Sequence, residues 1–410
     1  MPAPSRAAIG ETHAMTPHLV VMLVSMLLGS QAIATDLYLP ALPSLTEAFG
    51  AGVAQAQLTL TGMLLAFGLS QLAWGPLSDR FGRRPILLAG LSLFTLASAG
   101  CALAGSMQAL VGWRILQGAA LGAGVMVARA MVRDVFQPVE GAHMMSKAMT
   151  GLGAIACLTG PVGGLLVDLA GWRALLGLVS AFGALILAVV AWRFEETLGP
   201  ASRAPLHPAA IARSWGAILR HRGFQANAAL STATFAALLT FLAASPFVLM
   251  KVLGLSRLQF GLCMFSMSSL YIAGTFLCRR LLARLGLRRT VAIGGALALT
   301  GGTAIGVLAL AGVQGLWAIL GPFWLIALSH GINQPCGQSG SVAPFPQSAG
   351  AASALNGFLM TCAAFVTGGW IGAHLDGTVF ALTNTLWFWT AVVAAVAWTG
   401  MQRHGEARHA

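Results

Sequence analysis

Residues 75–85 read Gly-Pro-Leu-Ser-Asp-Arg-Phe-Gly-Arg-Arg-Pro and lie between two long apolar runs. Arginines, an aspartate, glycines and prolines are thus concentrated in one short gap. Apolar runs that lie in lipid must satisfy their backbone groups within helices, so the gap between them is a short basic turn at one face of a membrane. Because basic loops stay on the cytoplasmic side, the sequence predicts that this turn faces the cytoplasm.

The composition is that of a membrane protein. Of 410 residues, 57% are hydrophobic and 8% are charged, and the mean hydropathy is +0.80. Soluble domains carry about 25% charged residues, so this chain cannot cover an aqueous surface. The formal net charge of +12 comes from short arginine clusters between apolar runs. Such clusters are typical of loops beside anionic headgroups, so we expect a lipid bilayer as partner and no nucleic acid.

The hydropathy pattern predicts an all-α polytopic membrane protein. A transmembrane helix needs about 20 apolar residues, and the sequence contains twelve candidate spans, divided six and six by its longest polar stretch. The predicted spans are 18–39, 54–74, 85–104, 109–130, 145–166, 173–193, 226–250, 260–279, 290–312, 315–335, 348–372 and 379–400. The predicted domains are a cytoplasmic tail (1–17), a six-helix bundle (18–194), a cytoplasmic linker (195–223), a second six-helix bundle (224–401) and a cytoplasmic tail (402–410).

The distribution of positive charge predicts the orientation. With the N-terminus inside, 19 of the 23 Lys and Arg side chains fall on the cytoplasmic side. Arg173, Lys251 and Arg257 fall on the outer side, and Arg114 lies within a span. By the positive-inside rule both termini are cytoplasmic, and the expected location is the inner membrane.

The two predicted bundles resemble each other in sequence. Residues 80–84 (Arg-Phe-Gly-Arg-Arg) match residues 284–288 (Arg-Leu-Gly-Leu-Arg) at an offset of 204 residues, about half the chain. Where the first copy has Asp79, the second has Ala283. A duplicated six-span unit, with a site between the halves at mid-membrane, is typical of transporters.

Four segments carry a family resemblance. They are residues 75–84 (GPLSDRFGRR), 114–118 (RILQG), 153–164 (GAIACLTGPVGG) and 35–43 (TDLYLPALP). The first three resemble the loop 2–3, fourth-helix and antiporter-associated fifth-helix motifs of the major facilitator superfamily. The fourth resembles the first helix of its bicyclomycin-resistance (Bcr/CflA) branch of drug:H+ antiporters. The resemblance runs from about residue 20 to 400 and implies twelve transmembrane helices in two pseudo-symmetric six-helix bundles.

This resemblance implies proton-coupled efflux of small, mostly lipophilic drugs by alternating access, with antibiotics of the bicyclomycin or phenicol kind among the candidates. It further implies a monomeric secondary transporter without cofactor, driven by the proton gradient. An importer or facilitator of a metabolite, built on the same fold, is the alternative. An enzyme is disfavoured because the sequence contains neither a phosphate-binding loop nor a metal-ligand cluster.

Two charged residues within predicted spans are the candidates for proton coupling. Asp36 is the only carboxylate in an apolar segment of the first half, and a charge at the bilayer centre costs at least about 2.5 kcal/mol. Such a group is suited to binding and releasing a proton. Alternatively, helix 1 ends early and Asp36 is a solvated cap before Pro40. Arg114 is the matching cation, which the resemblance places beside the proton pathway; alternatively, it extends to the outer headgroups.

The basic turn is predicted to act as a conformational latch. Asp79 and Arg83 are four residues apart and can pair within a helix, with Asp134 nearby. The resemblance implies that this cluster holds the two halves together in the outward-open state and breaks when the protein opens inward. Asp168, in the predicted outer loop between spans 5 and 6, is expected to tolerate substitution. The predicted latch residues are Gly75, Asp79, Arg80, Gly82, Arg83, Arg84 and Asp134.

The fifth span carries a stripe of small residues, which predicts a close helix contact that limits leak. Gly153, Cys157, Gly160 and Gly164 recur at intervals of three or four residues, and Pro161 adds a bend. The six cysteines all fall in or beside apolar runs and are expected to be packing residues.

A mostly apolar substrate cavity is expected, which fits small lipophilic or neutral drugs. Polar side chains in spans usually form hydrogen bonds to neighbouring helices, and this is the alternative for each candidate contact. The candidate substrate contacts are Tyr38, Gln117, Met126, Asn227, Phe241, His330 and Asn333.

Overall fold

The structure of the chain is a computed structural model that describes residues 15–199, 208–313 and 315–405, and these residues form helices and no strands. The predicted tails and linker lie partly outside the described residues. In the described part, 10 helices are long and apolar enough to cross a membrane. Two of these, His143–Arg193 and Arg257–Leu310, have 51 and 54 residues, about twice the length that one span needs. Each supplies two spans, which gives the twelve predicted.

The elements follow one another in two halves. The N-terminal half contains α1 (Pro17–Thr35), a 3-10 turn (Leu39–Ala41), α2 (Leu42–Phe49), α3 (Val53–Phe81), α4 (Arg83–Ala102), α5 (Met107–Val135) and α6 (Pro138–Arg193). The linker contains α7 (Pro208–Arg220). The C-terminal half contains α8 (Arg222–Phe247), a π-turn (Val248–Val252), α9 (Arg257–Leu310), α10 (Leu316–Val342), a 3-10 turn (Pro346–Ser348), α11 (Ala349–His374), α12 (Phe380–Trp398) and α13 (Gly400–His404).

Glycines with positive φ reverse the chain direction between neighbouring spans. Gly171 (φ 76°, ψ 173°) interrupts α6, and Gly286 (φ 74°, ψ 177°) interrupts α9. Gly82 (φ 102°, ψ 162°) separates α3 from α4. Other residues rarely adopt these angles, since their Cβ would clash. Gly82 and Gly286 are the positions that match at the 204-residue offset, so the halves turn with similar backbone geometry, as a duplication predicts.

The linker helix α7 was not anticipated from the sequence. It buries Ile218 against Phe224 and Leu355, whereas Arg213 and Arg220 are exposed. An amphipathic helix of this kind lies on the bundle with its apolar side inward. We call the end of the bundle that carries α7 and the α3–α4 turn the basic face, and the other end the opposite face.

The two halves meet where α3 packs on α11 and where α6 packs on α9. Glycines allow the helices to approach closely in the second pair. A Cβ at Gly160 would be 2.7 Å from the Met264 Cβ and 3.0 Å from the Gly261 carbonyl oxygen. A Cβ at Gly164 would overlap the carbonyl oxygen of Arg257. Contacts of this kind are typical of transmembrane helices, which gain van der Waals energy by close backbone approach.

We expect Gly164→Ala to destabilise the protein, because the added methyl group would push α6 away from α9. Overpacking costs about 1–3 kcal/mol, so the thermal unfolding temperature of the purified protein in detergent should fall by several degrees. Gly177→Ala is the matched control in the same helix, where nothing lies within 4 Å of an added Cβ. Equal unfolding temperatures for the two variants would contradict the close contact.

Candidate functional site

Arg114 is fully buried in the N-terminal half, with 0% of its surface exposed. Its guanidinium donates from Nε to the Thr59 carbonyl (3.2 Å), from Nη1 to Gln117 Oε1 (2.5 Å) and from Nη2 to the Ala34 carbonyl (3.0 Å). Its Cζ lies 4.1 Å from the centre of the Tyr38 ring. This burial excludes an arginine that extends to the headgroups. Neutral oxygens and an aromatic ring stabilise the positive charge.

Two candidate substrate contacts belong to this buried network. Gln117 Nε2 donates to Ser98 Oγ at 2.7 Å, and the hydroxyls of Tyr38 and Thr59 share a hydrogen bond of 2.6 Å. Both Gln117 and Tyr38 are fully buried. Their polar atoms are therefore used inside the N-terminal half, where they hold Arg114 in place.

Asp36 lies at the end of α1 and forms no ion pair with Arg114. Its backbone N–H donates to the Ala32 carbonyl at 2.7 Å, and its Oδ1 accepts a hydrogen bond from the Thr35 hydroxyl at 2.9 Å. The α-helix does end early, at Thr35, with Asp36 as its C-cap residue, and the Asp36 side chain is half-buried. Asp36 and Arg114 are thus not in direct contact, and their joint role in proton coupling stays a prediction.

The helical period explains why the two charges do not meet. Arg114 contacts Ala34 and Tyr38, which are four residues apart and share one side of the chain. Asp36 and Tyr38 keep right-handed helical backbone angles, so Asp36 projects about 200° around the axis from either neighbour. Asp36 and Arg114 are thus at the same level of the first span but on different sides of it.

The predicted latch residues form an ion-pair cluster on the basic face. Arg83 is buried, and its Nη1 lies 2.6 Å from Asp79 Oδ1 while its Nε lies 2.8 Å from Asp134 Oδ2. Its Nη1 also donates to the Ser78 hydroxyl at 2.7 Å. One guanidinium thus joins α3, α4 and α5. The pair of Arg83 with Asp134 is nearly buried, and breaking a buried pair by removing one partner typically costs about 3–5 kcal/mol. This pair therefore fixes α4 relative to α5.

The cluster differs from expectation in one respect. Asp79, Arg83 and Asp134 all belong to the N-terminal half, so their ion pairs do not themselves join the halves. They are intact here although, as described below, ion pairs close the opposite face. The expected breakage on inward opening stays a prediction.

The other predicted latch residues surround this cluster. A Cβ at Gly75 would lie 3.4 Å from the Met126 side chain, and Gly82 forms the turn. Arg80 lies over the Phe81 ring at 5.9 Å. Arg84 Nη2 donates to the Ala191 carbonyl, near the end of α6, at 3.0 Å.

Glu196 completes the cluster and was missed by the sequence analysis. Its Oε1 accepts a hydrogen bond from the backbone N–H of Arg83 at 2.8 Å, and its Oε2 accepts one from that of Arg84 at 3.1 Å. It therefore caps α4, where a negative charge is favourable. The two partners are more than 100 residues away along the chain, so no local pattern indicates this contact.

Two ion pairs join the halves at the opposite face. Arg257 Nη1 lies 2.6 Å from Asp168 Oδ1, and its Nη2 donates to Ser44 Oγ at 2.9 Å. Lys251 pairs with Glu47. We call these five residues the opposite-face clamp. The carboxylate of Asp168, which was expected to tolerate substitution, bridges the halves in this clamp. The sequence did contain an indication of this clamp, since Lys251 and Arg257 are two of the three basic residues assigned to the outer side.

A cavity of about 420 Å³ lies between the halves on the basic face. We call it the vestibule. Its walls come from the ends of α3 and α5, from α7 and from the start of α11. Among the candidate substrate contacts Met126 lines it, together with the latch residues Gly75, Asp79 and Arg83.

Two further candidate contacts pack inside the C-terminal half. Asn227 Nδ2 donates to the carbonyls of Gly223 (2.9 Å) and Gly405 (3.3 Å). Phe241 is buried and stacks on Phe323, with 3.7 Å between the ring centres. These contacts are the interhelical packing that was the alternative for each residue.

His330 and Asn333 are likewise buried, on α10. His330 Nδ1 lies 3.3 Å from the Thr234 carbonyl, and Asn333 Nδ2 donates to Ser329 Oγ at 3.3 Å. Neither lines the vestibule. No group of three His, Cys, Asp or Glu side chains in the described part of the chain is placed to hold a metal ion.

Comparison with known sequences gives a consistent result. Residues 24–369 match the family model described as Major Facilitator Superfamily. The uncharacterized MFS-type transporter YdgK of Bacillus subtilis (strain 168) is 32% identical over 265 residues, which are 63% of this chain and 65% of that relative, a little under two thirds of its length. The chloramphenicol resistance protein of Pseudomonas aeruginosa is 28% identical over 365 residues, 87% of this chain and 83% of the relative.

Comparison with solved structures agrees on the fold. The inward open conformation of the xylose transporter XylE from E. coli superimposes with a TM-score of 0.73 at 15% identity, over 96% of this chain and 98% of that one. At this identity the likeness shows the fold alone. The family match covers well over half of the sequence. The chain therefore belongs to the Major Facilitator Superfamily and is a membrane transporter, not an enzyme.

Proposed function

We propose that the protein exports small, mostly apolar drugs across the cytoplasmic membrane in exchange for protons, by alternating access. The observation that carries this proposal is the asymmetry between the two ends of the interface. The clamp closes the opposite face, while the vestibule lies between the same halves on the basic face. Transporters of this kind bind substrate between two halves and expose the site to one side at a time. The name of the Pseudomonas aeruginosa relative supports a drug as substrate.

The basic face is proposed to be cytoplasmic, together with both termini, in the inner membrane. The turn between α3 and α4 and the α7 region are rich in arginine, whereas Arg173, Lys251 and Arg257 are the basic residues assigned to the opposite face. Positive loops stay on the cytoplasmic side. The vestibule would then collect substrate from the cytoplasm, which is the loading state that an exporter requires.

Asp36 is the proposed proton carrier. It precedes Leu37, whose backbone packs against Gly163 of α6, the helix that also packs on α9 of the other half. Its carboxylate accepts a hydrogen bond from Thr35 and pairs with no arginine or lysine among the described residues. An ionised carboxylate with so few partners is costly to bury. Protonation would therefore shift the balance between the two conformations.

Arg114 is proposed to support proton coupling indirectly, by holding the backbone around Asp36 in place. Its Nη2 bonds to the Ala34 carbonyl, two residues before Asp36, and its guanidinium stacks on Tyr38, two residues after it. These contacts set the geometry of the chain on both sides of the carboxylate. Arg114 would thus hold the proton site without touching it.

We expect the protein to raise the minimal inhibitory concentration of chloramphenicol for an efflux-deficient bacterial host, and Asp36→Asn to abolish that protection. Asparagine keeps the shape of the protonated side chain but cannot release a proton, so export against a gradient should stop while insertion persists. Asp36→Glu keeps an ionisable group and should retain part of the activity with an altered pH profile. Substrate-induced proton release in everted vesicles measures the coupling.

Asp376→Asn is the matched control for this experiment. Asp376 lies in the exposed loop between α11 and α12, where hydrogen bonds from the Thr378 hydroxyl and backbone N–H hold the pKa of its carboxyl below the usual range. It should transport at the wild-type rate. Wild-type coupling in Asp36→Asn would show that the coupling group lies elsewhere. If the wild type transports metabolites but no drug, the proposal of a drug exporter is replaced by that of a metabolite importer or facilitator.

Asp79→Asn should reduce transport about fivefold with normal insertion. Asp79 is 48% exposed, and an ion pair of this exposure contributes up to about 1 kcal/mol, which corresponds to about a fivefold shift between conformations. The rate of drug export, normalised to the amount of inserted protein, measures the effect. Glu140→Gln, which changes an exposed carboxylate at the start of α6, is the control. Equal losses in both variants would mean that Asp79 is merely a loop charge.

The double variant Glu47→Gln, Asp168→Asn should open the opposite face, because it removes both carboxylates of the clamp. Spin labels at Gly105, before α5, and at Ala311, after α9, report the distance between the halves at that face. We expect the distance distribution to gain a longer component. Asp376→Asn should leave it unchanged. An unaltered distribution in the double variant would show that the clamp does not hold the face closed.

A further inference from the structure

The vestibule contains positive charge that the proposed cycle does not use. Arg129 and Arg133, near the end of α5, line it and are exposed to its interior. Among the described residues, the carboxylates in ion pairs are bound to Arg83, Lys251 or Arg257. No carboxylate of the described residues lies within ion-pair distance of Arg129 or Arg133. These two guanidinium groups therefore face a cavity without a compensating carboxylate.

Arg129 reaches across the vestibule from one half to the other. Its Nη1 donates to the Ser353 hydroxyl on α11 at 3.0 Å. A guanidinium carries five N–H donors in a planar fork, so this hydrogen bond leaves others for a ligand. A ligand bound at Arg129 would contact both halves, which is what a transported molecule must do.

The charge balance of the vestibule favours an anion. The cluster of Asp79, Arg83 and Asp134 already pairs one guanidinium with two carboxylates. A ligand cation would find Asp79 engaged by Arg83 and would meet the unpaired charges of Arg129 and Arg133. An anionic group would be attracted to these two residues, and Arg can bind a carboxylate or phosphate through two parallel hydrogen bonds.

Most of the remaining wall of the vestibule is apolar. Leu72, Met126, Ile211 and Trp215 contribute side chains from α3, α5 and α7. A volume of about 420 Å³ falls within the range of roughly 300–1,000 Å³ that is usual for small-molecule sites. Such a wall would hold an aromatic or branched aliphatic body next to the anionic group.

We propose that the vestibule binds amphipathic anions, with Arg129 as the residue that recognises the carboxylate or phosphate and the apolar wall as the site of the ligand's body. This inference rests on the proposed function and names the preferred class of its substrates. It departs from the neutral or lipophilic class expected from the sequence. An anionic phospholipid headgroup and a soluble aromatic acid share this chemistry, so the test must distinguish the two sources.

The test compares ligands of matched shape. Purified protein in phosphatidylcholine nanodiscs is titrated with 2-naphthoate and with 2-naphthamide, and binding is measured by equilibrium dialysis. We expect 2-naphthoate to bind about tenfold more tightly, since a charge-assisted hydrogen bond contributes that much. Arg129→Ala should remove this preference, and Arg129→Lys, which keeps the charge but not the fork, should keep part of it.

Arg220→Ala is the matched control for a change of surface potential. Arg220 is exposed on α7, at the same face but outside the vestibule lining. It should leave the preference for 2-naphthoate unchanged, because its exposed guanidinium does not line the site and salt screens exposed charges. The thermal unfolding temperature of each variant, measured in the same discs, verifies that it is folded.

Nanodiscs that contain phosphatidylglycerol distinguish a lipid headgroup from a soluble acid as the source of the bound anion. If a headgroup occupies the site, 2-naphthoate binding by the wild type weakens in these discs, and binding by Arg129→Ala does not change. Unchanged wild-type binding assigns the site to soluble anions, and both outcomes support an amphipathic anion. Equal affinities for the two naphthalene ligands, or equal preferences in wild type and Arg129→Ala, would overturn the inference.

This binding measurement requires neither export nor a proton gradient. If the protein binds 2-naphthoate through Arg129 but does not protect the host from drugs, the proposed drug export is contradicted and the anion site is retained. If the protein protects the host but its affinity for 2-naphthoate does not depend on Arg129, only the anion site is contradicted.

Discussion

A guanidinium inside a lipid bilayer must have its donors satisfied by the protein, since no water is available to accept them. The N-terminal half meets this constraint around Arg114. Its hydrogen bonds to carbonyls of α1 and α3 tie three helices to one point, and Gln117 continues the network to Ser98 on α4. Because a buried charge that loses its partners is very costly, these four helices are expected to move as one body. The proposed rocking of one half against the other depends on that rigidity.

The interface between the halves combines interactions of different strength. Along α6 and α9, glycines bring the backbones into contact, and such packing is lost only when the helices separate. The opposite-face clamp instead relies on partly exposed ion pairs, with side chains between 37% and 60% exposed. Pairs of this kind contribute about 0.2–1 kcal/mol each. A gate that must open and close in every cycle cannot be much stronger, so weak exposed pairs are suited to this position.

The fold could be predicted from the sequence to a large extent, because lipid forces each span to be a long apolar helix. Contacts between residues close in sequence were also accessible: the pairing of Asp79 with Arg83 was predicted from their spacing, although Gly82 places them on different helices. The contacts between distant segments were not. Glu196 caps α4, and Asp168 pairs with Arg257, through arrangements of helices that no local pattern specifies. The separation of Asp36 from Arg114 follows from the helical period, but only once the partners of Arg114 are known.

The duplicated halves have diverged in their charge. In the described residues, the buried arginines Arg83 and Arg114 belong to the N-terminal half, and the buried polar side chains of the C-terminal half are hydroxyls, amides and His330. The turn glycines Gly82 and Gly286 are retained, whereas Asp79 is replaced by Ala283. The backbone geometry of the repeat therefore persists without its ion-pair cluster. We propose a division of roles in which the N-terminal half carries the proton-binding group, whereas the buried interior of the C-terminal half has neutral polar side chains.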